Sequence, residues 1–197
     1  MTVKQKVLKL IYPLFKRIAK WRKSGSGIYT NVNQKKPDLS FYTLSAELTS
    51  KAPFNFIGLK GKKVLLVNVA SKCGYTPQYE ELEQLSRLYN GKLVILAFPA
   101  NDFKEQEPED DKQIEVFCKV NYGVTFSLFR KKPVLGLSQQ EVFQWLSQKN
   151  KNGWNEQPPS WNFCKYLVDS NGNLQYFFAP QISPLGKEMI LAINSIK

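Results

Sequence analysis

The stretch from residue 63 to residue 89 limits the possible folds of this chain more than any other part of it. A short, β-branched apolar run at residues 64–69 is typical of a buried strand. Cys73 and Gly74 follow in a turn, and after Pro77 apolar residues recur at helical spacing behind two acidic residues. The order strand, cysteine, helix predicts an α/β protein with Cys73 close to a helix N-terminus.

This position makes Cys73 a candidate nucleophile. A helix N-terminus carries partial positive charge, which favours a thiolate over a thiol. Lys72, the preceding residue, is expected to act in the same direction. The alternative is a small, buried and unreactive side chain, which is the usual state of a free cysteine. The strand, turn and helix alone leave both interpretations open.

The composition excludes several kinds of site. The 197 residues include no histidine, which excludes His-based triads, His-ligated zinc and c-type haem. The three cysteines lie 45 and 46 residues apart, a spacing that fits no metal-binding motif. Their odd number argues against a secreted disulfide framework. We therefore expect no metal or other cofactor, and a reducing, cytoplasmic compartment.

The formal net charge of +12 belongs mainly to one end of the chain. Residues 1–36 contain ten of the 28 Lys and Arg residues and no Asp or Glu, so the remainder is close to neutral. No nucleic-acid-binding face is therefore expected on the domain. We assign residues 1–37 to a basic, amphipathic N-terminal extension and linker, and residues 38–197 to one domain.

Residues 3–23 have the pattern of an amphipathic helix, with basic residues opposite an apolar face. The uninterrupted apolar run is much shorter than the ~20 residues that span a bilayer. One interpretation is a helix on a membrane surface, with the protein peripheral at the inner membrane face. The other is an extension that is unstructured or packs on the domain. The apolar positions are Val3, Val7, Leu10, Ile11, Leu14, Ile18 and Trp21.

The rest of the chain alternates strand and helix patterns, which predicts a central β-sheet flanked by helices. A Ser-Asn-Gly turn at residues 170–172 between two apolar runs is the strongest hairpin signal in the chain. Ser183 followed by Pro184 predicts the start of the last helix. The predicted elements after Cys73 are a strand at 93–98, helices at 108–120 and 139–149, a hairpin at 162–168 and 174–178, and a final helix from 183.

Four stretches of the chain together resemble the glutathione peroxidase family. They occur in order and with compatible spacing between about residue 40 and the C-terminus. The resemblance implies a thioredoxin-like fold with a central mixed β-sheet, and a thiol peroxidase acting on hydrogen peroxide and on organic or lipid hydroperoxides. The stretches are Asn-Val-Ala-Ser-Lys-Cys-Gly-Tyr-Thr (68–76), Phe-Pro-Ala-Asn-Asp-Phe-Lys-Glu-Gln-Glu-Pro (98–108), Phe-Cys-Lys-Val-Asn-Tyr-Gly-Val-Thr-Phe (117–126) and Trp-Asn-Phe-Cys-Lys-Tyr-Leu-Val (161–168).

The resemblance also implies roles for individual residues. Cys73 corresponds to the peroxidatic residue, and Gln106, Trp161 and Asn162 correspond to the other members of the family's catalytic set. Neutral donors of these types can hold a thiolate and bind the oxyanion that forms when the O–O bond breaks. The sulfur then becomes a sulfenic acid.

Cys118 corresponds to the resolving cysteine of thioredoxin-dependent relatives, which forms a disulfide with the peroxidatic one. Helical spacing places Cys118 on an apolar face, so core packing is the alternative role. Both roles are compatible only if the helix unwinds locally after oxidation, because a disulfide needs Cα atoms within about 7 Å. Thioredoxin is then the expected reductant, with glutathione secondary. No insertion precedes Trp161 of the kind that tetrameric relatives carry, which implies a monomer.

The chain departs from the family pattern at several positions. Asp102, Lys104 and Glu105 replace the usual Gln and Gly residues in the loop that carries Gln106. Cys164 replaces a common threonine, and we interpret it as structural. A rival functional hypothesis is a redox-sensing adaptor that signals through a Cys73–Cys118 disulfide.

Overall fold

The structure is a computed structural model that describes residues 6–7, 9–13 and 27–197. Its centre is a mixed sheet of six strands in the order β1-β8-β7-β4-β5-β6. Strands β4, β5 and β6 are parallel, whereas β7, β8 and β1 continue the sheet in antiparallel pairings. The strands are β1 (Ile28–Thr30), β2 (Ser45–Glu47), β3 (Pro53–Asn55), β4 (Lys63–Val69), β5 (Leu93–Pro99), β6 (Ser127–Leu128), β7 (Lys165–Val168) and β8 (Leu174–Phe178), of which β2 and β3 form a separate pair.

Helices cover both faces of the large sheet and enclose two apolar layers. The first layer lies under α1, α2 and α5, and the second lies under α3 and two short 3-10 turns, Phe41–Thr43 and Phe56–Leu59. The helices are α1 (Gln78–Leu88), α2 (Asp111–Tyr122), α3 (Glu141–Ser147), α4 (Lys149–Asn152) and α5 (Lys187–Ser195).

The central strand β4 is buried on both faces, as its continuous apolar run predicts. Successive side chains of a strand point to opposite faces, so Leu65 and Val67 enter the first layer while Val64 and Leu66 enter the second. The predicted central mixed sheet with flanking helices is confirmed. β4 ends at Val69, four residues before Cys73, so the cysteine loop lies at the carboxyl end of the central strand.

The predicted start of the last helix is wrong by a few residues. α5 begins at Lys187, with Gly186 in the capping position. The hydroxyl of Ser183 instead donates a hydrogen bond to the Glu81 carboxylate of α1. Because the Ser183 hydroxyl is bonded to another helix, it does not cap α5.

The large sheet extends into the region assigned to the extension and linker. Strand β1 pairs antiparallel with β8, with Ile28 opposite Phe178 and Thr30 opposite Tyr176. Three residues are too few to show a strand periodicity of their own. Main-chain pairing with the edge of β8 determines this strand, and local sequence does not reveal it.

Residues 9–13 are helical and pack on the domain. Tyr12 is buried in the first apolar layer. The ammonium of Lys9 lies 2.7 Å from the Glu80 carboxylate of α1 and 4.8 Å from the ring centroid of Tyr122 of α2. This short helical segment therefore bridges α1 and α2.

Part of the apolar face predicted for residues 3–23 lies in the described residues 6–7 and 9–13. Val7, Leu10 and Ile11 are exposed, and Leu10 is 81% exposed. The other predicted apolar positions, Val3, Leu14, Ile18 and Trp21, lie outside the described residues. Among the described helices, none has both the length and the apolar character needed to cross a bilayer.

Candidate active site

Cys73 lies in the loop between β4 and α1 and is only 1% exposed. Thr76 closes this loop: its hydroxyl accepts the Cys73 N–H at 3.0 Å and lies 2.9 Å from the Ala70 carbonyl oxygen. α1 begins five residues after the cysteine, so the nearest donors belong to the loop. The Tyr75 N–H donates to the Cys73 sulfur at 3.4 Å, and the Gly74 N–H also hydrogen-bonds it.

The four residues that the resemblance assigns to catalysis come together around this sulfur. The side chains of Trp161 and Asn162 hydrogen-bond Cys73. The Asn162 amide nitrogen donates to the Gln106 side-chain oxygen at 3.0 Å, so Gln106 joins the group through Asn162. The Lys72 N–H donates to the Gln106 carbonyl at 3.0 Å and ties the two loops together.

The electrostatics of Cys73 differ from the expectation. Burial raises the pKa of the Cys73 thiol above its usual value. The hydrogen bonds from Tyr75, Trp161 and Asn162 lower that pKa but offset only part of the rise, so the expected lowering of the pKa is not found. The expected effect of Lys72 is wrong, because its ammonium pairs with the Glu109 carboxylate at 2.7 Å. Stabilisation of the thiolate therefore comes from neutral donors.

Asn68, at the end of β4, holds the turn that delivers Trp161. Its amide nitrogen donates to the Trp161 carbonyl at 3.0 Å, and its oxygen accepts the Cys164 N–H at 3.0 Å. The turn includes Phe163 at φ 67°, a conformation that is rare and costly for a bulky residue. The Phe163 ring packs edge-on against Tyr79 at 5.4 Å. A buried amide in an apolar strand was the available signal for Asn68, and it was missed.

The loop before Gln106 adopts left-handed conformations without glycine. Lys104 and Glu105 have φ values of 51° and 52°. The Asp102 carboxylate accepts hydrogen bonds from the main-chain N–H groups of Val134 and Leu135 at 3.1 and 3.3 Å. These contacts hold the loop in a shape that glycine would adopt with less strain.

Cys118 is fully buried within α2 and faces the same apolar layer as Cys73. Its place on the apolar face of a helix is confirmed. Burial is the main cause that raises the pKa of the Cys118 thiol to about 12; the Tyr79 hydroxyl lowers it, and the charges of Glu107 and Glu115 raise it. Both cysteines are free thiols, and α2 is intact.

Two other features resemble the site in sequence but lie elsewhere. Cys164 is fully buried in the second apolar layer, on the opposite face of the sheet from Cys73. A second Trp-Asn pair occurs at Trp154 and Asn155. The Trp154 indole donates to the Leu174 carbonyl at 2.7 Å, and the Asn155 amide supports the chain around α3. This second pair is structural.

Comparisons with known proteins agree with the geometry. The family model described as "Glutathione peroxidase" matches residues 41–147. The chain is 47% identical over 146 residues to glutathione peroxidase-like peroxiredoxin 2 of Saccharomyces cerevisiae, an alignment that covers 74% of this chain and 90% of the relative. The crystal structure of Trgpx in apo form is 28% identical, with a TM-score of 0.61 over 81% of this chain and 98% of that chain.

A more distant structure bears on the fold alone. A thiol:disulfide interchange protein of the thioredoxin family from Chlorobium tepidum is 15% identical, with a TM-score of 0.58 over 81% of this chain and 97% of that chain. Together with the mixed sheet and its flanking helices, this similarity confirms the predicted thioredoxin-like fold.

Proposed function

Because the chain belongs to the glutathione peroxidase family and is a peroxidase, we propose that Cys73 is its peroxidatic nucleophile, that Cys118 resolves the oxidised sulfur, and that thioredoxin restores both thiols. The observation that carries this proposal is the set of neutral donors around the Cys73 sulfur. Tyr75, Trp161 and Asn162 all hydrogen-bond that one atom.

The first half of the reaction follows from this arrangement. The Cys73 thiolate attacks one peroxide oxygen, the O–O bond breaks, and the sulfur becomes a sulfenic acid. The second oxygen takes up a proton and leaves as water or, from an organic or lipid hydroperoxide, as an alcohol. Uncharged donors such as the Trp161 indole and the Asn162 amide bind developing negative charge without titrating, and each such donor contributes about 3 kcal/mol in comparable sites.

The second half resets the enzyme. The Cys118 thiol attacks the sulfenic acid of Cys73, and thioredoxin then reduces the disulfide, with glutathione as a secondary reductant. Supporting this order, both sulfurs face one apolar layer. α2 has to open locally, because Cys118 is buried inside an intact helix. The peroxidase names of the relatives do not favour the alternative of a redox-sensing adaptor.

Non-reducing mass spectrometry after one equivalent of hydrogen peroxide tests the proposal. We expect a peptide linking Cys73 to Cys118, and no peroxide consumption by Cys73→Ser. A linkage through Cys164, or continued consumption by Cys73→Ser, would contradict it. Rapid disulfide formation without thioredoxin-supported turnover would support the adaptor instead.

We also propose that the N-terminal segment holds the protein peripherally on an anionic membrane surface in the cytoplasm. The exposed side chains of Val7, Leu10 and Ile11 support this, as does the basic character of residues 1–36. The test is sedimentation of the full chain with anionic and neutral liposomes. The double variant Leu10→Glu, Ile11→Glu is expected to stay in the supernatant; equal sedimentation of both proteins would contradict the proposal.

We further propose that the protein is a monomer. The short connection between α4 and Trp161 supports this, because the family resemblance implies an insertion at that place in tetramers. Size-exclusion chromatography with light scattering measures the mass directly. A value near the 22.7 kDa of one chain is expected, and a tetramer would contradict the proposal.

A further inference from the structure

Glu107 is a buried acid to which the reaction above gives no role. It follows Gln106 in the loop between β5 and α2, and it is 0% exposed. One carboxylate oxygen accepts a hydrogen bond from the Ser71 hydroxyl at 2.5 Å. The other oxygen, Oε2, is buried and has no hydrogen-bond partner within the described residues. A buried, unpartnered carboxylate oxygen is costly, so its presence calls for an explanation.

The surroundings of Glu107 leave its charge only partly compensated. The Lys131 ammonium donates to the main-chain carbonyls of Glu107, Pro108 and Glu109 at 3.2, 3.2 and 2.5 Å. Burial raises the pKa of Glu107 to about 7; the Ser71 hydrogen bonds and Lys131 lower that pKa, and the Glu109 charge raises it. Both protonation states of Glu107 are therefore populated near neutral pH.

Glu107 is held against the loop that carries Cys73. Ser71, its hydrogen-bond partner, precedes Cys73 by two residues in the same loop. The charge of Glu107 also raises the pKa values of Cys118 and Tyr79. The charge of Glu107 therefore influences the ionisation of Cys118 in α2.

The anchors of Glu107 do not belong to α2. Its main-chain N–H donates to the Asn101 side-chain oxygen at 2.8 Å, and its carboxylate is held by Ser71. Both partners lie outside α2, so opening of that helix does not by itself break either contact. Glu107 therefore remains beside the Cys73 loop while Cys118 approaches it.

We propose that Glu107 is the proton acceptor for Cys118 in the step that forms the disulfide. The Cys118 thiol gives its proton to the free oxygen of Glu107, and its sulfur attacks the sulfur of the Cys73 sulfenic acid. The S–O bond breaks, and the departing hydroxide takes the proton from Glu107 and leaves as water. The sulfenic sulfur is reduced, the Cys118 sulfur is oxidised, and the carboxylate is regenerated.

The chemical need for such a group comes from Cys118. A thiol whose pKa burial raises to about 12 supplies almost no thiolate at neutral pH. General-base catalysis is most effective when the pKa of the base lies near the working pH, and Glu107 meets that condition. The inference rests on the proposed function, because it assumes that Cys118 is the resolving cysteine.

The test separates the two half-reactions by rapid mixing of the reduced enzyme with one equivalent of hydrogen peroxide. Alkylation, quenching and mass spectrometry then follow the sulfenic acid and the disulfide between pH 5 and pH 9. In the wild type we expect the rate of disulfide formation to rise with pH around pH 7, as Glu107 ionises. Glu107→Gln retains a side-chain oxygen for Ser71 but cannot accept the proton. It should lose this rise and form the disulfide at least about tenfold more slowly at pH 8.

Ser71→Ala provides a second, independent variant. It removes a hydrogen bond that lowers the pKa of Glu107, so the rise in rate should move to higher pH. A purely structural role for Glu107 predicts no such movement. The inference is overturned if Glu107→Gln keeps the wild-type rate and pH profile, or if Ser71→Ala leaves the profile where it is. If the wild type forms no Cys73–Cys118 disulfide, the proposed function itself fails, which is a different result.

Discussion

Cys73 and Cys118 are both almost completely buried, yet their sulfurs differ in the hydrogen-bond donors and charges that surround them. The Cys73 sulfur is held by hydrogen bonds from two loop N–H groups and from Trp161 and Asn162. The Cys118 sulfur has the Tyr79 hydroxyl beside it and the charges of acidic residues nearby. Burial raises the pKa of both thiols, but only around Cys73 do several hydrogen-bond donors converge on the sulfur.

The difference follows from where each cysteine lies in the backbone. Inside a helix, main-chain N–H groups are used in bonds to carbonyls four residues earlier, so Cys118 has none to itself. In the loop after β4 the N–H groups of Gly74 and Tyr75 turn towards the sulfur. The proposed nucleophile Cys73 therefore has hydrogen-bond donors on its sulfur in the folded state, whereas the resolving role proposed for Cys118 requires α2 to open.

Removing the Cys118 thiol should give the largest effect on turnover. Cys118→Ala is expected to lose thioredoxin-supported turnover by about 100-fold or more, because no second thiol remains to form the disulfide. Oxidation of Cys73 itself should be unchanged. The measurement is peroxide consumption with thioredoxin, thioredoxin reductase and NADPH.

Cys164→Ala is the matched control for that experiment, since Cys164 is equally buried but lies in the second layer. It should keep turnover close to the wild-type rate. Full thioredoxin-supported activity in Cys118→Ala would show that Cys73 and Cys118 do not form the disulfide of the proposed reaction.

Removing one of the hydrogen-bond donors to the Cys73 sulfur should have a smaller effect on the rate. Trp161→Phe deletes a hydrogen bond that lowers the pKa of Cys73, so that pKa rises. The thiolate fraction at pH 7 then falls, and a rise of one pKa unit slows the reaction with peroxide about tenfold. The rate measured against pH should shift its midpoint to higher pH.

Trp154→Phe is the matched control, because the Trp154 indole donates to Leu174 away from the site. Its pH profile is expected to coincide with that of the wild type. An unshifted profile in Trp161→Phe would mean that the loop N–H groups alone hold the thiolate.

Weakening the N-terminus of α2 should make Cys118 easier to expose and so reduce its difference from Cys73. Asp110 forms a capping box with Gln113, in which the carboxylate accepts the Gln113 N–H at 2.8 Å. Asp110→Ala is expected to cost about 1 kcal/mol of helix stability. Opening of α2 then becomes about fivefold more frequent, and disulfide formation after oxidation speeds up by a similar factor. Hydrogen exchange of α2 and quenched-flow mass spectrometry measure the two quantities; faster exchange without faster disulfide formation would contradict the need for opening.

The smallest expected effect concerns the loop that carries Gln106. Glu105→Gly relieves a left-handed conformation at φ 52° and should change the free energy of unfolding by no more than about 1 kcal/mol. The Cys73 reaction with peroxide should keep its rate, because the loop retains its shape. Denaturant unfolding and the peroxide rate provide the two readings, and a large loss of rate would show that Glu105 itself acts at the site.

The large elements of the fold could be predicted because they follow local patterns. The apolar run of β4 and the Ser-Asn-Gly turn before β8 can each be recognised from the types of a few neighbouring residues. β1 could not be predicted in this way, since it depends on the edge of β8 more than 140 residues later.

The site residues themselves came from the family resemblance, and the structure brings Cys73, Gln106, Trp161 and Asn162 together. The electrostatics did not follow from sequence, since they depend on partners distant in the chain. Lys72 pairs with Glu109, 37 residues away, and so loses the influence on Cys73 that its adjacency predicts. The role of Asn68 could not be predicted for the same reason, because its hydrogen-bond partner Trp161 lies 93 residues later in the chain.

Under the proposed reaction, three thiols form one disulfide, between Cys73 and Cys118, and two other pairings have to be avoided. The central sheet sorts the sulfurs, with Cys73 and Cys118 on one side and Cys164 on the other. The unwinding of α2 that the proposal requires would therefore bring Cys118 towards Cys73 while Cys164 stays buried on the other side of the sheet. In that reaction the central sheet, besides supporting the site, would also keep the third thiol from forming a wrong disulfide.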